Sequence, residues 1–269
     1  MPSSLFDYFD RVSIIHLPER TDRMQAMRRE LSRIGVDFRS DKVVVPYAPK
    51  PANANGFPSK GVYGNFLSHL GILKAAHDDG LSNILLLEDD AIFSTRFNRC
   101  QGQMAKVLQH NPWDIFFIGH SFRNALPKSP SGIVRFSGSS LWSHCYAVNR
   151  SLMPRIIDYL EQTIDREAGH PDGGKMYIDG ALNEFRRLNP DAISLASSPC
   201  LSVQRGSPSN IGTMAHWYDA NRILRLPINC ARSGRDALWR FGFISIGPPK
   251  TDSVLTYIRE AIPFPDPVG

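Results

Sequence analysis

The sequence is poor in cysteine and has no long apolar run, and each absence narrows the class of protein. No run approaches the roughly 20 apolar residues that a membrane-spanning helix needs. Residues 1 to 7 contain no basic region followed by an apolar core, so we expect no signal peptide. The four cysteines lie far apart, at Cys100, Cys145, Cys200 and Cys230. This spacing has no Cys-x-x-Cys pair, which argues against a zinc site and is typical of reduced thiols in a cytoplasmic protein.

The composition is that of a soluble globular protein, with 42% hydrophobic and 21% charged residues. A length of 269 residues suffices for one large α/β domain or two small ones. The net charge is +5, and five arginines fall between Arg222 and Arg240, close to Trp217, Tyr218 and Trp239. This segment favours contact with an anionic membrane surface or a phosphorylated glycolipid, although a solvated basic face has the same composition. No nucleic-acid-binding motif is recognised, so we expect no nucleic-acid partner.

An uninterrupted apolar run ends in three adjacent carboxylates, Glu88, Asp89 and Asp90. Such a run predicts a strand buried on both faces, and acids at its end need a cation or several donors to offset their repulsion. Side chains alternate along a strand, so we expect Glu88 and Asp90 on one face and Asp89 on the other. This geometry suits a hard divalent cation that bridges carboxylate and phosphate oxygens. An acidic turn after a strand is the alternative interpretation.

Strands and helices are predicted to alternate around this run. Residues 12–17 form a first buried strand, and a helix with Thr21 as its N-cap and Gly35 as its C′ residue follows it. A helix over about 66–76 directly precedes the acidic strand. The carboxylates therefore fall at the C-terminal end of a parallel strand, where open α/β sheets bind ligands.

The remaining elements are predicted from shorter patterns. Strands are expected at 43–45, 113–119, 141–148 and 193–195, and helices at 96–110, from Ser151 as N-cap, and from residue 178. The segment 46–61, rich in proline and glycine, is too long for a simple connection and predicts a functional loop or lid.

The motifs, taken in order, resemble glycosyltransferase family 25. They are "IIHLPERTDR", "GVYGNFLSHLGILKAA", "NILLLEDDAIF", "WDIFFIG", "SHCYAVNR", "YIDGAL" and "PCLSVQRGSPSNI". The family includes bacterial lipopolysaccharide and lipooligosaccharide galactosyltransferases, and the collagen galactosyltransferases are relatives. The resemblance extends from about residue 12 to 212.

The resemblance implies an α/β fold of the GT-A type, with a Rossmann-like, mostly parallel central sheet flanked by helices. Residues 1–212 would form this domain, with a nucleotide-binding half at about 1–119 and an acceptor half at about 120–212. Residues 213–269 would be a basic, proline-containing extension packed on it. The implied reaction is an inverting transfer of a hexose, usually galactose, from a UDP-sugar, with Mn²⁺ or Mg²⁺ as the metal. The implied acceptor is a cell-surface glycan or lipid-linked oligosaccharide, which a cytoplasmic enzyme would meet at the inner membrane face.

Candidate donor-binding residues follow from the resemblance together with the chemistry of the side chains. Asp90 is the expected metal ligand, and Glu88 would reach the metal through water or bind the ribose. Asp89 would bind the nucleotide, or instead backbone or an arginine. Further candidates are the backbone of His16 and Leu17 for uracil, the guanidinium groups of Arg20 and Arg23 for the diphosphate, and the family's Ser68–His69 pair. For Arg20 and Arg23 a solvated helix start is the alternative, and for His69 a buried core histidine.

Candidates near the acceptor come from the later motifs. Inversion needs a general base, and Asp179 matches the family's acidic position there, with Asp172 as the alternative base. Asp179 could instead only stabilise the start of its helix. Gln204, Ser207 and Ser209 match the family's final motif, although Asn210 stands where an Asp is common. His144 and His216 have weaker claims as site residues.

Two rival functions remain open at this point. A nucleotidyltransferase could use the same sheet edge, but it would normally show a Gly-rich first loop, which this chain lacks. A nucleotide-sugar-binding module could keep the fold without turnover; the three acids and Asp179 argue against that interpretation.

Overall fold

The protein is described here from a computed structural model, in which residues 4–122, 126–205 and 222–242 are described. The helices are α1 (Leu5–Tyr8), α2 (Thr21–Arg33), α3 (Lys60–Asp78), α4 (Thr95–His110), α5 (Met153–Asp165), α6 (Ile178–Leu188) and α7 (Arg222–Arg240). The strands are β1 (Arg11–Ile15), β2 (Val43–Val44), β3 (Asn83–Glu88), β4 (Ala91–Phe93), β5 (Ile115–Phe117), β6 (Ile133–Arg135), β7 (Cys145–Asn149), β8 (Ser194–Ser197) and β9 (Ser202–Gln204).

A seven-stranded sheet with the order β2-β1-β3-β7-β5-β8-β6 forms the centre of the fold. The pairs β1–β2, β1–β3 and β5–β8 are parallel. Strand β7 runs antiparallel between β3 and β5, and β6 is antiparallel to β8. The predicted α/β class, with a mostly parallel central sheet flanked by helices, is thus confirmed. The parallel pairing of β1 with β3 brings their C-terminal ends to the same edge.

Alternation along β3 divides the core into two layers. Ile84 and Leu86 pack with apolar residues of α3, α5 and α6 on one face of the sheet. Leu85 and Leu87 pack with residues of α1, α2 and α4 on the other face. Every residue of β3 is buried, as the continuous apolar run predicts. The C-terminal end of β3, with its acidic residues, therefore lies between two layers of helices.

Several local predictions need correction. The strand expected from Leu141 starts only at Cys145, because Leu141 makes an isolated bridge with Ser121 instead. Ser151 does not cap α5; the N-cap is Leu152, and the Ser151 hydroxyl donates to Asp114 at 2.7 Å. Helix α2 has Arg20 as its N-cap, one residue before the predicted Thr21.

The C-terminal helix α7 contacts the rest of the fold through its last turns. Trp239 is buried against Ile92 of β4 and Val203 of β9, which pair with each other in a small antiparallel sheet. The Arg240 guanidinium donates to buried Glu30 at 2.6 Å. Among the described residues no helix is long and apolar enough to cross a membrane. The predicted division at residue 212 lies outside the described residues and stays a prediction.

Candidate functional site

The three acids at the end of β3 are buried, with exposed fractions of 8% for Glu88, 5% for Asp89 and 7% for Asp90. Strand β3 ends at Glu88, and the other two acids form a tight turn before β4. Buried carboxylates are costly unless donors or cations compensate them. The compensation differs among the three, and this difference defines the site.

Asp89 lies on the α2 side of the sheet and is bound by two basic side chains. One carboxylate oxygen accepts from the Arg23 guanidinium at 2.9 Å, and the other contacts His16 Nδ1 at 2.7 Å. Burial alone would lower the pKa of Arg23, but the charges of Asp90 and Asp89 outweigh it and raise the pKa. Arg23 therefore stays a cation beneath the strand end.

Glu88 lies on the α3 side and is bound by uncharged donors. Asn65 Nδ2 and Gln204 Nε2 donate to its two oxygens at 3.3 and 3.2 Å, and His69 Nε2 lies 3.5 Å away. Burial would raise the pKa of Glu88, but the interactions with His69, His144 and Asn65 outweigh it and lower the pKa. Tyr146 lies on the far side of His69, with its hydroxyl 2.9 Å from Nδ1. Because burial raises the pKa of Tyr146, its hydroxyl keeps its proton and can donate to Nδ1, which leaves Nε2–H toward Glu88.

Asp90 is the least compensated of the three. Its Oδ2 lies 3.1 Å from the same Arg23 nitrogen that binds Asp89, whereas its buried Oδ1 has no hydrogen-bond partner in the described part of the chain. Burial, with the charges of Glu88 and Asp89, raises the pKa of Asp90 to about 7 despite Arg23. The expectation that Asp90 shares a face with Glu88 is wrong, because the strand has ended and the turn directs Asp90 against Arg23.

A cavity of about 250 Å³ opens beside the strand end. Its walls come from the end of β1, the segment before α3, the first half of α3 and the end of β3. Predicted site residues that line it are His16, Leu17, Arg20, Arg23, Ser68, Glu88 and Asp89. His69, Asp90, Asp179 and Gln204 are not among its lining residues, although Gln204 and His69 hold Glu88. Ser207, with Ser209, Asn210 and His216, lies outside the described residues.

Basic side chains are frequent in the wall of this cavity. Arg20, Arg23, Lys50 and Lys60 line it together with the acids Glu19, Glu88 and Asp89. The Lys50 ammonium lies 2.7 Å from Glu19, so the segment before α3 is tied to the segment after β1 across the cavity. The predicted functional loop at 46–61 therefore forms a wall of the candidate site. Such clustered cations favour a phosphorylated ligand.

The candidate base Asp179 lies in the first turn of α6, as its motif predicts. Its oxygens accept backbone N–H groups of Gly180 at 2.9 Å and Trp142 at 3.3 Å. Burial raises the pKa of Asp179, and the charge of Glu88 adds to the rise. The alternative base Asp172 lies in an exposed loop. His144 is fully buried, and burial lowers its pKa to about 4, so it is a neutral core histidine behind Glu88.

Sequence reasoning missed Asn65, Lys50 and Lys60. Asn65 precedes Ser68 and His69 by three and four residues, a spacing that places all three on one side of a helix. That spacing was a usable signal for Asn65. The two lysines belong to a segment whose pattern indicates a loop but does not tell which side chains face a ligand.

The donor set tests whether a divalent cation fits. In the described part of the chain no group of three or more His, Cys, Asp or Glu side chains is arranged to hold a metal ion. Asp90 nevertheless offers a buried oxygen without a partner and a raised pKa, both of which a cation would relieve. Mg²⁺ and similar cations are commonly held by one or two carboxylates plus substrate phosphates rather than by a full protein cage. The residues fit a cation of that kind.

Fold and site together define an α/β protein whose acid-terminated parallel strand borders a cavity rich in basic side chains. No protein-family model matches the sequence. Procollagen galactosyltransferase 1 of Danio rerio is 33% identical over an alignment of 132 positions that covers 41% of this chain and 21% of that protein. Procollagen galactosyltransferase 1-B of Xenopus laevis is 28% identical over 52% of this chain and 27% of that protein.

A third relative extends over more of the chain. The inactive glycosyltransferase 25 family member 3 of Homo sapiens is 26% identical over 81% of this chain and 43% of that protein. These similarities confirm the resemblance to glycosyltransferase family 25. The chain spans less than half the length of these curated relatives.

Two solved structures are similar over 70% of this chain, each with a TM-score of 0.34. One is a glycosyltransferase involved in the glycosylation of the major capsid of PBCV-1, at 10% identity and 93% coverage of that chain. The other is the apo form of the glycosyltransferase GlyE of Streptococcus pneumoniae, at 11% identity and 45% coverage. At this TM-score neither structure defines the site of this chain.

Proposed function

We propose that the chain is a metal-dependent, inverting glycosyltransferase that moves a hexose, most simply galactose, from a UDP-sugar to a hydroxyl of a glycan or lipid-linked acceptor. The observation that carries the proposal is the cavity lined by Glu88 and Asp89, with Asp90 next to them in the chain, in a protein similar to procollagen galactosyltransferases. Such a reaction requires a site that binds a diphosphate and offsets the charge that develops on it when the sugar leaves.

The lining of the cavity contains groups suited to both halves of a nucleotide. Ala48, Pro49 and Pro51 provide apolar surface in the same lining as His16 and Leu17, where we place the uracil. Arg20, Arg23, Lys50 and Lys60 provide the charge that a diphosphate needs. Ser68 lies on the α3 wall, but its hydroxyl already donates to Gly64 O at 2.8 Å, so we assign it to the packing of the wall.

We assign Mn²⁺ or Mg²⁺ to Asp90, with Glu88 as the second carboxylate. The cation would act as a Lewis acid that neutralises charge on the leaving diphosphate. Asp90 supplies the unpaired oxygen. Glu88 is held in place by Asn65 and Gln204, both through contacts longer than 3.1 Å that a ligand could replace.

Asp179 is our candidate for the base that removes the proton from the acceptor hydroxyl. The backbone donors of Gly180 and Trp142 fix the orientation of its carboxylate. Its raised pKa makes it a better proton acceptor than an ordinary aspartate. Asp179→Asn should lower turnover at least about a hundredfold while UDP affinity is kept. Turnover near that of the wild type would remove Asp179 from the mechanism.

We place the acceptor at an anionic membrane surface that the C-terminal segment contacts. The support is the exposure of two apolar side chains, Leu238 of α7 at 47% and Phe241 just after it at 63%, in a segment whose sequence is rich in arginine. This would be a peripheral contact of a cytoplasmic enzyme, with no part for nucleic acid.

The decisive experiment is an assay of UDP release with a panel of UDP-sugars, with and without Mn²⁺, alongside calorimetry with UDP. The proposal expects hydrolysis or transfer from one UDP-hexose that depends on the cation. Tight UDP binding without turnover on any donor or acceptor would favour a nucleotide-sugar-binding module, a reading that the similarity to a relative named inactive supports. Release of pyrophosphate from a nucleoside triphosphate would instead show a nucleotidyltransferase. Failure to bind UDP would contradict the proposal altogether.

A further inference from the structure

The imidazole of His16 is held in one orientation by Asp89. Nδ1 of His16 lies 2.7 Å from Asp89 Oδ2, and both side chains are buried, at 8% and 5% exposure. The other oxygen of Asp89 accepts from Arg23 at 2.9 Å. A carboxylate that binds a guanidinium is an acceptor, so the proton in the contact with His16 belongs to Nδ1.

This contact determines what the second ring nitrogen can do. With the proton on Nδ1, an imidazole in its neutral form presents a lone pair at Nε2. His16 lines the cavity, and its contact with Asp89 is made through Nδ1, at the opposite side of the ring from Nε2. An acceptor in this position selects a ligand group that carries a hydrogen. Hydroxyl groups of a sugar qualify, whereas ionised phosphate oxygens do not.

We propose that Nε2 of His16 accepts a hydrogen bond from a hydroxyl of the bound nucleotide sugar, and that it thereby helps the site to select its ligand. The inference rests on the proposed function, since that function supplies the ligand. The hydroxyl belongs to the ribose or to the transferred hexose. Asp89 is a positioning residue in this arrangement, because it fixes the tautomer and the ring without touching the ligand.

The selection has a physical basis. A site that holds a polar atom ready for a hydroxyl discriminates against an analogue without it, because that atom is then buried without a partner. Loss of one such hydrogen bond should cost about tenfold in affinity. The apolar part of the lining cannot provide this discrimination, because it makes no hydrogen bond with a hydroxyl.

The test is calorimetry with UDP, 2′-deoxy-UDP, 3′-deoxy-UDP and UDP-galactose, on the wild type and on His16→Phe. Phenylalanine keeps a ring of similar shape and removes both nitrogens. His77→Phe, an exposed position on α3, is the control. If the hydroxyl belongs to the ribose, one deoxy analogue should bind the wild type about tenfold more weakly than UDP does, and in His16→Phe this difference should vanish. If His16→Phe does not fold, His16→Asn replaces it, since its amide can donate to Asp89 but lacks the distal nitrogen.

The possible outcomes distinguish a ribose hydroxyl from a hexose hydroxyl. They also distinguish failure of this inference from failure of the proposed function. Loss of the deoxy penalty in the variant assigns the hydroxyl to the ribose. A variant that binds UDP normally but UDP-galactose about tenfold more weakly assigns it to the hexose. Equal affinities of variant and wild type for every ligand, or an equal loss for all four, would overturn the inference while leaving the proposed function in place. A wild type that binds none of the four contradicts the proposed function itself.

Discussion

On the two sides of the sheet, different kinds of groups compensate the buried carboxylates at the end of β3. On the α2 side, Asp89 is bound by the guanidinium of Arg23 and the imidazole of His16, at 2.9 and 2.7 Å. On the α3 side, Glu88 is bound by the amides of Asn65 and Gln204 at 3.3 and 3.2 Å. One carboxylate has short contacts to basic groups and the other has longer contacts to neutral donors.

The difference separates a carboxylate that organises the protein from one that is available to a ligand. Asp89 holds two basic groups of the cavity wall in place, so we expect it to matter for stability. Glu88 has weaker contacts that a bound group could replace. Asp90 stands between them, because it shares Arg23 with Asp89 and keeps one buried oxygen unpaired. The comparison therefore predicts different consequences for three neighbouring acids.

The largest effect is expected for Asp90→Asn on cation-dependent binding of UDP. An amide is a poor ligand for a hard cation, so affinity in the presence of Mn²⁺ should fall at least about a thousandfold, or ~4 kcal/mol. Calorimetry with and without Mn²⁺ measures it. Asp158→Asn, at an exposed position on α5, should bind like the wild type. An Asp90→Asn protein that keeps its Mn²⁺-dependent affinity would remove Asp90 from the metal site.

The next largest effect is expected for Asp89→Asn on stability. Asparagine presents an NH₂ group to either Arg23 or His16, both of which are buried and need an acceptor. Removal of one partner from a buried ion pair costs about 3 kcal/mol. Urea unfolding measures this loss, with Asp158→Asn as the matched surface control. A loss no larger than that of the control would show that Asp90 alone suffices to hold Arg23.

Much of this arrangement could be predicted from the sequence, because the relevant signals are local. The apolar run of β3 and the acids that follow it indicate a buried strand with a polar end. The spacing of α3 and the position of Arg23 after β1 place further polar groups at the same edge. Seven of the predicted residues do line one cavity.

Other features depend on contacts that local patterns do not contain. The insertion of β7 between β3 and β5 is set by packing of distant segments, and no periodicity in residues 141–148 reveals its neighbours. The prediction that the Asp90 side chain lies on the same face of the sheet as Glu88 was wrong. Side chains alternate only within a strand, and β3 ends two residues before Asp90. That His16 would act through its ring as well as its backbone depends on the contact of the ring with Asp89.

A smaller effect is expected for the dependence of the free energy of unfolding on pH. The pKa of Asp90 in the folded protein, about 7, lies above the ordinary value of an aspartate. The folded state therefore holds a proton that the unfolded state releases, and the free energy of unfolding should fall as pH rises from about 4 to 7. Between pH 5 and 8 we expect this contribution to fall by about 2 to 3 kcal/mol in the absence of divalent cations.

Two histidines change the free energy of unfolding with pH in the opposite direction. Their contribution must be separated from that of Asp90. Burial lowers the pKa of His120 and of His144 to about 4, so their contribution to stability is lost as pH falls below the ordinary histidine value. Urea unfolding of the wild type and of Asp90→Asn at several pH values cancels the histidine contribution, because both proteins contain it. Parallel curves for the two proteins would contradict the raised pKa of Asp90.

The smallest effect is expected for Glu88→Gln, which is the isosteric match of Asp89→Asn on the other side of the strand. Glutamine keeps one acceptor oxygen for Asn65 or Gln204, and no cation loses its partner, so the loss of stability should stay near 1 kcal/mol. Urea unfolding at one pH compares the two variants directly. A loss as large as that of Asp89→Asn would show that the negative charge of Glu88 is itself essential to the fold, through the histidines His69 and His144 that lower its pKa. The two sides of the strand end would then differ in the length of their contacts but not in their dependence on charge.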